Sequence, residues 1–82
     1  MTTEELQKII VDKYIANLGH VIDQNADFFD AGGDSVAVEV ILSELSQIVK
    51  TDLPGWLLLD NPSAVELARA IHQFVMDARN TD

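Results

Sequence analysis

The sequence predicts an all-α domain: three longer helices and one short third helix in a single bundle, with a long loop between helices 1 and 2. Three observations carry this. Three segments place apolar residues at three- and four-residue spacing. Two of them are preceded by a hydroxyl residue with Glu three positions on, Thr2 with Glu5 and Ser63 with Glu66. The one short apolar run that could form a strand, Trp56-Leu57-Leu58-Leu59, has no partner strand anywhere in the chain.

The first helix is expected over about residues 3–17. Thr2 and Glu5 have the spacing of a capping box, and the early acids suit the positive end of a helix. Leu6, Ile9, Ile10, Lys13, Tyr14 and Asn17 share a face, and Gly19 is a natural stop. Residues 18–34 are rich in Asp, Asn and Gly and read as a loop. Leu18, Val21, Ile22, Phe28 and Phe29 are scattered through it and are expected to pin it across the helices, the two Phe as core anchors. A loop this long inside a small domain is a functional signal.

The second helix is expected over residues 35–50, with a stripe of Val38, Ile41, Leu42, Leu45, Ile48 and Val49. Val36 and Val40 fall off that stripe and are expected to be exposed. Leu53-Pro54-Gly55 then breaks the chain, and Trp56-Leu57-Leu58-Leu59 makes about one helical turn before Asp60-Asn61-Pro62. The last helix starts at the Ser63 cap and carries Ala64, Leu67, Ala68, Ile71, Phe74 and Val75 inward to about residue 78, beyond which the tail frays. The whole is one domain, 1–82, with its core over about 3–78.

Composition narrows the function. The chain has 82 residues and no cysteine, so there is room for one domain and neither a disulfide framework nor a thiolate metal site. Fourteen acidic side chains oppose five basic ones, a formal charge of -9. That excludes nucleic acid, whose phosphates need Lys and Arg, and disfavours an anionic membrane surface. Partners should present basic patches. No apolar run reaches the roughly 18 residues that span a bilayer, and the acidic start is unlike a signal peptide. A cytoplasmic, monomeric protein fits.

Gly32-Gly33-Asp34-Ser35-Val36 is the one unusual local feature. Two glycines allow a sharp turn and leave space beside it. Asp34 and Ser35 both suit a helix start, so a plain helix cap accounts for the pair on its own. The functional alternative is that Ser35 presents an accessible hydroxyl where a phosphodiester would be favoured by free amides and the helix dipole. Nucleophilic catalysis is less well served. The closing glycine of a nucleophile elbow is missing, and neither histidine, His20 nor His72, lies near Ser35 in sequence. The acids of 23–30 lack the order of a calcium loop, and no phosphate-binding loop with its Lys is present.

Residues 27–36, Asp27-Phe28-Phe29-Asp30-Ala31-Gly32-Gly33-Asp34-Ser35-Val36, resemble the phosphopantetheine attachment motif of peptidyl carrier proteins, the thiolation domains of nonribosomal peptide synthetases and relatives of acyl carrier proteins. Asp60-Asn61-Pro62-Ser63 leading into Glu66-Leu67-Ala68 is similar to that family as well, so the resemblance covers nearly the whole chain. It implies the four-helix acyl-carrier fold and a non-catalytic role. Ser35, flanked by Gly33, Asp34 and Val36, would receive 4′-phosphopantetheine from coenzyme A through a phosphopantetheinyl transferase.

The arm would hold an aminoacyl, peptidyl or acyl group as a thioester. Its implied partners are an adenylating or acyl-loading enzyme and condensation, tailoring or thioesterase enzymes of a natural-product pathway, nonribosomal or hybrid peptide–polyketide, with the chain acting as a discrete carrier. By the same resemblance Asp34, Val36, Glu39 and Val40 would face partners, with Trp56 and Leu57 as candidates on the third helix. Ala31, Asp34 and Val36 depart from the commonest peptidyl pattern, where Leu, His and Leu or Ile stand, and Asp at position 34 also suits polyketide and fatty-acid carriers. Two other readings are an acidic helical interaction module without a prosthetic group, and a small serine hydrolase. The hydrolase needs a histidine within reach of Ser35.

Overall fold

Each of the longer helices begins at a side chain that caps it. The computed structural model describes residues 1–80. In it, α1 spans Thr3–Leu18, α2 Ser35–Val49, α3 Trp56–Asp60 and α4 Ala64–Arg79. Thr2 Oγ1 accepts the Glu5 amide at 3.1 Å, and Glu5 Oε1 accepts the Thr2 amide at 3.0 Å, so the capping box is complete. Gly19 ends α1 in the left-handed region, at φ 80°. At α4, Ser63 Oγ accepts the Glu66 amide at 3.1 Å and donates to Glu66 Oε1 at 2.8 Å. The Glu66 carboxylate therefore meets the cap hydroxyl rather than the cap amide. Asn80 closes α4, and the remainder of the expected frayed tail lies outside the described residues.

The four-helix bundle matches the expected class, and no described residue is in a strand. α1 packs mainly along α4, α2 leans on α1, and α3 covers part of α4. Ile10, Tyr14, Ile41, Leu45, Leu58, Leu67 and Ile71 are fully buried where these helices meet. Each such aliphatic side chain contributes about 1.5–3 kcal/mol by leaving water. Tyr14 is the one phenol in this core, and its hydroxyl donates to the Pro62 carbonyl at 3.0 Å. Burial, reinforced by the Asp27 and Glu66 carboxylates, holds that hydroxyl protonated well above its ordinary range.

Two apolar residues expected inside are outside. Ile48 is exposed, because a turn of 3.6 residues sets it about 80° from the centre of the α2 stripe, while Val49 falls on it. Val21 is 84% exposed. It alternates with the buried Ile22 along a non-helical stretch, and only one of two such neighbours can point inward. No described helix is long and apolar enough to cross a membrane, and no described cluster of His, Asp or Glu could hold a metal ion.

Candidate functional site

Residues 26–34 form a tight structure built on Asp27 and Phe28. Asp27 Oδ1 accepts the amides of Phe29 at 2.7 Å and Asp30 at 3.1 Å, so this carboxylate caps a single turn. The turn continues through Ala31 N–H to Asp27 O, Gly32 N–H to Phe29 O and Gly33 N–H to Phe28 O, at 3.1, 3.0 and 2.9 Å. The Phe28 side chain is 0% exposed, its ring centroid 4.4 Å from that of Tyr14 on α1 and 5.6 Å from that of Phe29. Its amide donates to Pro62 O at 3.2 Å, the same carbonyl that Tyr14 engages. The loop is thus fastened to α1 and to the approach of α4.

The two glycines do different jobs. Gly32 sits at φ 111°, which a side chain tolerates poorly. Gly33 has no such angle. A Cβ on it would stand 2.6 Å from Phe28 Cζ and closer still to Cε2 and Cδ2. Its missing side chain makes room for the buried ring, rather than clearing the surface beside Ser35.

From Gly33 the chain turns outward. Asp34, in extended conformation, is the N-cap of α2, and its Oδ1 accepts the Ala37 amide at 2.9 Å. Ser35 is the first helical residue and is exposed. Its hydroxyl has no hydrogen-bond partner among the described residues, and neither do the amides of Ser35 and Val36. An anionic ester on Ser35 Oγ would have both free amides and the positive helix end beside it. The residues present therefore fit a phosphodiester at this serine.

His20 and His72 do not pair with Ser35. His72 is on α4, lining a groove with the far end of α2. The His20 Nδ1 lies 3.0 Å from Val21 O and its Nε2 2.9 Å from Ala31 O, stapling the start of the loop to its end. A neutral imidazole has one N–H and serves only one of these carbonyls; the imidazolium serves both. The Val21 carbonyl and then the Ala31 carbonyl accordingly raise its pKa above the ordinary value. A raised folded-state value means a contribution present in full below the unfolded imidazole pKa, about 6.5, and lost as pH rises through the folded value. The expected result is a His20 ring titration above that of the unfolded chain, with the amide shifts of residues 31–33 following it. In His20→Gln those amides should show no such titration.

Val36, 69% exposed, and Val40 project from α2 on the face opposite its core stripe, as expected, with Glu39 and Asp34 also exposed. Trp56 serves two ends at once: it is 51% exposed while its ring meets Phe74 edge-on at 6.1 Å. Leu57 is a correction. It is 1% exposed and belongs to the core, because this short helix turns Leu57 and Leu58 inward and Trp56 and Leu59 outward. The solvent-facing apolar pair on α3 is Trp56 with Leu59. Asp27 as a turn cap, His20 as a staple and Pro62 O as a shared acceptor were not read from the sequence. Asp two residues before a turn amide is the only one of the three with a local signal.

Comparison with known proteins follows this geometry. The family model described as the phosphopantetheine attachment site matches residues 8–71. Among solved structures, the fold is similar to BlmI, a type-II acyl-carrier-protein from Streptomyces verticillus involved in bleomycin biosynthesis. The TM-score is 0.83 at 20% identity, over 89% of each chain. It is also similar to the HMG-ACPI domain from the CurA module of Lyngbya majuscula, with a TM-score of 0.80 at 21% identity, over 96% of this chain and 83% of that one. No curated protein sequence matches.

Proposed function

The chain belongs to the phosphopantetheine attachment-site family of carrier proteins, and from that premise we propose that Ser35 carries the prosthetic group and that the chain delivers a thioester-bound aminoacyl, peptidyl or acyl group between enzymes of a natural-product pathway. The observation that carries the placement is Ser35 itself: an exposed, unpartnered hydroxyl at the first position of α2, beside two free amides. When bound, the group supplies a thiol that holds an acyl carbonyl open to amines and carbanions.

The chain's own residues do the rest. Asp34 caps the helix and leaves the Ser35 and Val36 amides available to the ester. Phe28, through Gly33, fixes the point at which the backbone leaves the core. Transfer from coenzyme A joins Ser35 Oγ to the phosphorus of the pantetheine arm. The phosphoanhydride bond of coenzyme A breaks, adenosine 3′,5′-bisphosphate departs, and the Ser35 hydroxyl proton passes to a base of the transferase. A phosphopantetheinyl transferase supplies the catalysis. Partner enzymes would meet Val36, Val40 and Trp56, with Asp34 and Glu39 steering basic surfaces toward the attachment end.

The test is intact mass before and after incubation with coenzyme A, magnesium and a broad-specificity phosphopantetheinyl transferase, followed by fragment mapping. One added phosphopantetheine group on the peptide containing Ser35 is the expected result. No gain on folded protein would favour the plain interaction module, with Ser35 reduced to a helix start. Loading of the modified protein by adenylating enzymes, against transfer of a malonyl or fatty acyl group, separates the aminoacyl reading from the polyketide and fatty-acid ones.

A further inference from the structure

Two of the chain's five Lys and Arg side chains, Lys50 and Arg79, converge with His72 on one groove. The groove lies where the start of α1 meets the last turns of α2 and α4. Fifteen residues of α2 separate it from Ser35, about 22 Å along the axis. It has a volume of about 310 Å³ and opens to solvent between exposed side chains. Its floor is the outer edge of the core, Leu6, Ile71 and Val75. Its walls are the exposed Met1, Ile48 and Met76.

Among the described residues no carboxylate lines this groove, although the chain as a whole is strongly acidic. Of the described acids near it in sequence, Asp52 lines a separate groove on the other side of Lys50. Glu5 closes the Thr2 capping box, Glu4 lines a different groove along α1, and Asp77 accepts the Gln73 amide at 2.8 Å. The ion pair among the described residues is Lys13 with Glu44, at 3.4 Å, and neither Lys50 nor Arg79 takes part in one. A strongly acidic molecule thus places two cations, with no ion-pair partner among the described residues, around an apolar cleft at one end and shows Asp34 and Glu39 at the other.

Charge complementarity and wall chemistry together define the occupant. Methionine walls adjust to side chains of varied shape. Two cations at the mouth suit carboxylates. A small ligand wants most of its surface enclosed, and a groove walled by side chains as exposed as Met1, Ile48 and Met76 gives it little; an apolar side chain projecting from a larger surface is better served. We infer that this groove binds an acidic amphipathic segment of a partner protein, with an apolar side chain between Met1 and Met76 and its carboxylates on Lys50 and Arg79. Such a partner leaves the Ser35 end free for an enzyme with a basic surface, so the two can be bound together.

The probe is a synthetic helical peptide with Leu on one face and Glu on the other, titrated into isotopically labelled full-length protein at low salt. Amide shifts are expected at residues 48–50 and 75–79, with residues 35–40 unmoved. Lys50→Glu combined with Arg79→Glu should weaken binding by about tenfold or more. Both positions are exposed, and an unchanged melting temperature checks that the fold is intact. Five results would each overturn the inference: no shift at the groove; an equal response to the peptide with Lys in place of Glu; unchanged binding by the double variant; saturation by sodium decanoate where the peptide fails; or the same shifts from raising the protein concentration alone, which would mark a self-association face.

Discussion

Ser35→Ala is expected to abolish the gain of a phosphopantetheine group completely, with a melting temperature within about 4 °C of the parent. The two halves of this result have separate causes. The loss follows from the proposed attachment at Oγ, since no neighbouring side chain offers a hydroxyl at the same place: Asp34 and Val36 flank it. The unchanged stability follows because Ser35 does nothing for the fold. Its hydroxyl is exposed and unpartnered, and the capping of α2 is done by Asp34, whose carboxylate accepts the Ala37 amide at 2.9 Å. Alanine is at least as good a helix former as serine at that position. Intact mass and thermal melting measured on the same sample decide it. A variant that still gains the group would move the attachment elsewhere, and one that unfolds would make Ser35 a structural residue.

The readable parts of this molecule were those governed by local rules. The Thr2–Glu5 box, the Gly19 stop, the Ser63 start and, Ile48 apart, the inward-facing positions of α2 and α4 follow from spacing and cap chemistry within a few residues, and the helix bounds agree to about one residue at each end. The illegible parts depend on contacts between distant segments. Gly33 looks like a second turn glycine until Phe28, five positions earlier, is seen folded back against it. Leu57 and Trp56 are equivalent apolar neighbours in a four-residue run, and only the placement of α3 on α4 decides which one is buried. His20 reads as an ordinary surface histidine because the carbonyl of Ala31, eleven residues on, is invisible from its own surroundings. Ser35 was singled out for a different reason: the motif around it resembles that of a family, and the exposure of the residue at the start of α2 is compatible with the proposed role.

Phe28 and Gly33 should behave as one unit. Phe28→Ala is expected to cost about 3–5 kcal/mol, the usual loss for emptying a fully buried aromatic site. Total stability for a domain of this size is about 4–12 kcal/mol, so this single change uses much of the margin. Gly33→Ala alone is expected to cost about 1–3 kcal/mol, because the added Cβ overlaps a ring that cannot retreat from Tyr14. The pair should not add. Once the ring is gone, the Gly33 methyl enters vacated space, and Gly33→Ala in the Phe28→Ala background should be close to neutral. Urea denaturation of the four proteins measures this coupling directly. Additive losses would mean that glycine is needed at position 33 for its backbone and not for the ring. A strong coupling has a consequence for the attachment site, since Ser35 is only two residues beyond Gly33. The ring that locks the loop also sets where α2 begins. Gly33→Ala protein that remains folded should then accept the prosthetic group more slowly than the parent, while Asp34 and Ser35 are untouched.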